Sequence, residues 1–207
     1  MTASATKDLV ALVPDRSWEA TLNTLLGKRC QALSIRACSY DIFVHPQRDP
    51  GVFRCAGKFL APFQQQYKQA LVVIDQEWAG APKEPTEIEG TIQHELDLFS
   101  WKGRSDVIVV VPELEAWAWT ESPHLPDILG WNEGNLFSEL ARRSFERNAL
   151  GKPLRPKEAL DSILRTARKP RSSALFSRLA EKVSLERCQD PSFLKLKRVL
   201  QGWFPEK

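Results

Sequence analysis

The sequence predicts an α/β fold: a mostly parallel sheet with helices on both faces, followed by an all-helical C-terminal extension. Short uninterrupted apolar runs, LVVID at 71–75 and DVIVVV at 106–111, have the length of strands and are apolar on both faces, as strands buried in a parallel sheet are. Stretches with apolar residues at helical spacing separate them, the alternation that builds parallel sheets. Beyond Asn132 only helical spacing is found. The division expected is residues 1–130 for the α/β domain and 131–207 for the extension.

The first strand is expected at DLVALV (8–13), followed by a turn at Pro14-Asp15-Arg16. Trp18, Leu22, Leu25 and Leu26 then share one helical face, and Gly27 is expected near the helix end, where a left-handed residue is often needed. Residues 32–46 are β-rich and hold one or two strands. Residues 51–68 read as a helix carrying Val52, Cys55, Phe59 and Phe63, kinked or split at Pro62. After LVVID, Thr86-Glu87-Ile88-Glu89 matches a capping box, with Ile88, Ile92, Leu96 and Phe99 as the buried stripe and Gly103 as the stop. DVIVVV runs directly into PELEAWAW (112–118 and Trp119), where a helix starting near Pro112 would turn Leu114, Trp117 and Ala118 inward. Four helices follow, marked by Leu136, Leu140 and Phe145, by Ala159, Ile163 and Leu164, by Leu175, Phe176, Leu179 and Val183, and by Phe193, Leu196, Val199 and Leu200.

Composition narrows the function classes. At 207 residues and 43% hydrophobic, the chain can bury a full core. A net charge of +3 permits contact with nucleic acid without requiring it. The opening MTASAT lacks the charged start and apolar run of a signal peptide, and no run reaches membrane-spanning length. Cysteines at 30, 38, 55 and 188 form no C-x-x-C pair, so neither a zinc site nor a disulfide framework is indicated. A reduced, cytoplasmic protein without a membrane partner is expected.

Right-handed crossovers bring all strand C-termini to one edge, where open α/β sheets keep their ligands. Asp15, the pair Asp75 and Glu77, and the pair Glu113 and Glu115 all follow strands. Residues i and i+2 of an extended segment point the same way, so Asp75 and Glu77 could hold one hard cation such as Mg2+ through oxygen ligands. The alternative is polar punctuation at a strand end. Glu113 is explained by a helix first turn, where a negative charge is favoured; neither capping nor burial calls for Glu115. His45 lies near Asp41 and Asp49 in a loop, and no Ser–His–Asp arrangement or glycine-rich phosphate loop is visible.

Residues 142–171 concentrate positive charge. Arg142, Arg143, Arg147, Arg155, Arg165, Arg168, Lys169 and Arg171, with Lys152 and Lys157, face only Glu146, Glu158 and Asp161. Such clustering suits a phosphate backbone; a solvated helical face is the competing explanation. Trp78, beside the acidic pair, could stack a base, while Trp117, Trp119 and Trp203 are expected in the core.

The stretches VVIDQEWAG (72–80), VVPELEAWAW (110–119) and KPRSSALFSRLAEKVSLERCQDPSF (169–193) carry a resemblance. The chain is similar to the TOPRIM fold, a Rossmannoid arrangement shared by topoisomerases, primases and OLD-type nucleases. More narrowly, it resembles a bacterial family of unknown function that pairs an acid-x-acid-G strand end with a later E-x-E-A-W segment and a helical tail. The resemblance implies a cytoplasmic component of anti-phage, methylation-associated defence, with partner subunits of that system. It also implies that Asp75 and Glu77 are metal-binding acids, with Glu113 and Glu115 the acids of the later segment. One departure stands out: TOPRIM domains end the first strand in Glu-Gly, whereas here Pro14 and Asp15 hold those positions. Two readings follow. In one, the protein is a defence component whose catalysis has lapsed, acting on or with nucleic acid. In the other it is a Mg2+-dependent nuclease in which Asp15 or Glu115 assists water or proton transfer.

Overall fold

Strand residues alternate between two cores. Leu9, Ala11, Val13, Leu71, Val73, Ile108 and Val110 bury into one apolar cluster, and Val10, Leu12, Ala70, Val72, Ile74, Val107 and Val109 into another. That alternation is the two-residue period of a strand covered on both faces. The strands, in a computed structural model that describes residues 6–120, 122–183 and 188–206, are β1 (Lys7–Val13), β2 (Tyr40–Val44), β3 (Tyr67–Asp75) and β4 (Ser105–Val110). They form one all-parallel sheet in the order β2-β1-β3-β4. The α/β class and the helical C-terminal region are as expected.

Helices α1 (Arg16–Lys28) and α2 (Cys30–Leu33) follow β1. The second face is covered by α3 (Arg48–Leu60) and α4 (Pro85–Leu98), through Val52, Ala56, Leu60, Ile88, Ile92 and Leu96. After β4 come the short α5 (Glu115–Ala118), α6 (His124–Leu129) and α7 (Leu136–Arg142), then α8 (Pro156–Thr166), α9 (Ser173–Lys182) and α10 (Pro191–Trp203). Their apolar residues join those of α1 in the first cluster, which runs unbroken from Leu9 to Phe204. The 131–207 region therefore shares one core with the α/β part. Trp18 meets Trp117 edge-on at 4.9 Å between ring centroids, and Trp117 meets Phe193 at 5.3 Å. Such contacts each add about 0.5–1.5 kcal/mol beyond area burial and tie α1, α5 and α10 together.

Several local expectations are corrected. Gly27 lies inside α1, which closes at Arg29. The 32–46 stretch holds a single strand, preceded by α2. Cys55 interrupts α3 with non-helical backbone, and Pro62 sits in a separate 3-10 turn at Ala61–Phe63. No capping box opens α4: Glu84 is its N-cap and Pro85 its first residue, so Thr86 falls within the helix. Helix α7 ends at Arg142, before Phe145. Among the described residues, no helix is long and apolar enough to cross a membrane. Residues 1–5 of the MTASAT opening and 184–187 of the 169–193 stretch lie outside the described residues.

Candidate functional site

The crossover from β1 to β2 runs one way along the sheet, and the connection to β3 returns to the other side of β1. The direction of winding thus reverses between the C-terminal ends of β1 and β3, the position where open α/β sheets form a crevice. Asp15 lies two residues past the end of β1, and Asp75 is the last residue of β3.

The rim is built by specific anchors. Asp15 is the N-cap of α1; its Oδ1 accepts from the Ser17 and Trp18 amides at 2.8 and 3.0 Å. Oδ1 of Asp75 accepts from the Trp18 indole at 2.9 Å and from the Leu114 amide at 2.9 Å. One carboxylate thereby fixes α1 and the segment after β4 to the end of β3. The Asp75 amide in turn donates to Oδ1 of Asp49, in the first turn of α3, at 3.2 Å. Asp49 was read from sequence only as a neighbour of His45, yet it belongs to this group. His45 is buried beneath Gly51, whose added Cβ would meet the imidazole at 2.1 Å.

Two further acids arrive with the chain after β4. Glu115 is 1% exposed and pairs with Arg171, which also reaches Asp161 at 3.6 Å and lies over the Phe176 ring. Glu113 accepts from the Lys157 amide at 3.1 Å, with the Lys157 ammonium at 3.8 Å. The C-terminal region therefore brings two cations to the acids of the sheet edge.

Charge is still in excess. Burial, then the charges of Asp49 and Glu115, push the Asp75 carboxyl well above the usual carboxylate range, against the Trp18 hydrogen bond. Asp49 is pushed up to about 6, mainly by burial. Glu113 is pushed up to about 7 by burial and by Glu115. Burial raises Glu115 as well, with Arg171 opposing. Acids at the opposite end of the sheet differ: Asp8 has Arg36 and Lys68 and lies far below its ordinary range, where the Ser39 amide and these cations outweigh burial.

Glu77 stands apart. The strand ends at Asp75, and the Gln76 and Glu77 amides both donate to the Pro112 carbonyl, so the extended geometry that would align residues 75 and 77 stops there. Exposed, Glu77 lines a groove of about 660 Å³ with Trp78, Lys83, Glu113, Arg155, Lys157 and Glu158. Trp78 packs against Phe53 at 5.6 Å.

The basic residues scatter. Arg142 and Arg143 both bind Glu139, and Arg143 also bonds Ser162. Arg147 lies over Phe137, and Arg155 pairs with Glu158 beside the groove. The Lys169 ammonium caps the end of α6 through the Ile128 carbonyl at 3.3 Å. Arg165 and Arg168 are exposed. Lys157 and Lys83 are closer to the rim than most of these; Lys157 was counted in the run, and Lys83 gave no signal beyond its place after Trp78.

Oxygen donors are what a hard divalent cation takes, but these do not converge. Among the described residues, no group of three or more His, Cys, Asp or Glu side chains could hold a metal ion. Asp15 and Asp75 are engaged by amide or indole donors and Glu115 by Arg171. Compared with family models, with curated proteins and with solved structures, the chain finds no match in any of the three.

Proposed function

We propose that the protein is a TOPRIM-like component of a bacterial anti-phage, methylation-associated defence system, cytoplasmic, working beside other subunits and holding nucleic acid without cutting it. The observation that supports this reading best is the state of the rim acids: amides and an indole of the chain itself hold one oxygen each of Asp15 and Asp75, and an arginine pairs with Glu115, donors that compete with metal and water for these groups. Pro14 and Asp15 in place of Glu-Gly agree with it. Beside the rim, the exposed Lys83, Arg155 and Lys157 suit phosphates and Trp78 suits a base, the combination that single-strand binding uses. The sequence resemblance alone supplies the defence context.

One observation favours the second reading, a Mg2+-dependent nuclease. The Asp75, Asp49 and Glu113 carboxyls are raised first by burial and then by neighbouring acids, and a divalent cation would relieve the second of these. Incubation with labelled single- and double-stranded DNA and RNA, with Mg2+ or Mn2+, separates the two. The binding reading expects retarded, full-length strands. Cleavage that Asp75→Asn abolishes would establish the nuclease in its place.

A further inference from the structure

The two edges of the sheet are finished differently. On β4, the Arg104 carbonyl accepts from the Ala70 amide, so odd-numbered residues turn their polar backbone outward. Val107 is one of these. Its amide is taken by the Asp106 carboxylate at 2.9 Å and its carbonyl by the Lys195 ammonium at 2.7 Å. Lys195 comes from α10 and also pairs with Glu89 on α4 at 2.8 Å, so its side chain straps this edge. A lysine across an edge is a standard barrier to pairing with another chain.

β2 has no such barrier. The Ser39 carbonyl accepts from the Leu9 amide, and the His45 amide donates to the Val13 carbonyl. Odd-numbered residues of β2 therefore face β1, and Tyr40, Ile42 and Val44 direct their N–H and C=O groups away from the sheet. Among the described residues no hydrogen bond engages those six groups. The strand, YDIFV, contains neither lysine nor proline, and all five residues are half-buried. Its acid is already neutralised, since Asp41 accepts from Lys7 and from the Tyr67 hydroxyl.

We propose that β2 pairs antiparallel with β2 of a second copy, about a two-fold axis at Ile42, to give one continuous sheet. The pattern is self-complementary in that register. Ile42 meets its own copy, and Tyr40 meets Val44 across the axis in both directions. All six outward groups of each strand then find partners. Asp41 falls opposite Phe43 of the second copy, so no like charges face each other. The Ile42–Ile42 and Tyr40–Val44 pairs are β-branched and aromatic, the kind that stabilise cross-strand contacts.

Ile42→Pro tests this directly. Proline removes an outward N–H and leaves the bonds to β1, which residues 41 and 43 make. Sedimentation velocity from about 1 to 100 μM is expected to show a monomer–dimer equilibrium, with the dissociation constant at least about tenfold higher in the variant, that is, weaker by about 1.4 kcal/mol or more. Hydrogen exchange on the unaltered protein reads the same edge without any substitution. The Tyr40, Ile42 and Val44 amides should gain protection with concentration, while Asp41 and Phe43 stay constant. A monomer throughout overturns the proposal. So does a dimer in which those three amides exchange freely, or one that Ile42→Pro leaves intact.

Discussion

Replacing Asp49 by asparagine should stabilise the protein at neutral pH. Asp49 is pushed up to about 6 from an ordinary 3.8, with burial the leading cause and the Asp15 charge adding to it. A carboxyl whose folded pKa lies above its unfolded one binds more protons when folded, so stability is lost as pH rises from about 4 through about 6. The loss is complete above that window. About two units at 1.36 kcal/mol each set an upper figure of about 3 kcal/mol, and relaxation with water access reduces it to about 1–2 kcal/mol. Asparagine keeps the oxygen that accepts from the Asp75 amide, so only the charge is removed. For a chain of this length the gain corresponds to a Tm higher by about 3–6 °C at about pH 7.5, shrinking by half or more at about pH 4.5. Scanning calorimetry of both proteins at the two pH values measures it. A lower Tm at neutral pH, or an equal gain at both, would refute the electrostatic account of the rim.

The same sign applies to the whole rim: with Asp75, Glu113 and Glu115 also raised, the unaltered protein should melt higher at about pH 5.5 than at about pH 7.5, and a melting curve that falls steadily on acidification would contradict it. Arg171→Ala strands the buried Glu115 and should cost about 2–4 kcal/mol in urea unfolding; adding Glu115→Gln should recover at least about half, and a loss under about 0.5 kcal/mol would show that the pair is incidental. Lys152 and Asp190, 5% and 7% exposed and 2.9 Å apart, should behave alike: Lys152→Met alone destabilises by about 3 kcal/mol or more, and Asp190→Asn added to it restores part, as chemical unfolding will report.

Much of the sheet was legible because its strands are buried on both faces, which leaves uninterrupted runs such as Leu71–Ile74. The helical faces of α1, α8, α9 and α10 were legible for a related reason, a single apolar stripe each. Punctuation was less so. Thr86 and Glu89 have the spacing of a capping box, but Pro85 fits the first helical position so well that the helix begins two residues earlier. Gly27 is compatible with a helix end and equally with the close approach of the Tyr40 hydroxyl, 3.1 Å from where its Cβ would stand. At the rim, strand position was enough to mark Asp15 and Asp75. It could not mark Asp49, whose role depends on how α3 folds back against β3. Nor could it separate Arg171 and Lys157 from their basic neighbours: periodicity gives the face a side chain leaves from, not the acid that a long side chain reaches.

On the function proposed, the groove between Trp78, Lys83 and Lys157 holds a nucleic-acid strand beside an acidic rim held by the protein's own donors. Its most direct test is the salt dependence of binding of a labelled single-stranded oligonucleotide, compared between the unaltered protein and Lys83→Ala/Lys157→Ala. The pair of substitutions is expected to weaken binding about tenfold or more at low salt and to flatten the log–log salt slope by about 1.4, about 0.7 for each lysine on a single strand. Equal affinity and equal slope in the two proteins, or no binding by either, would contradict it.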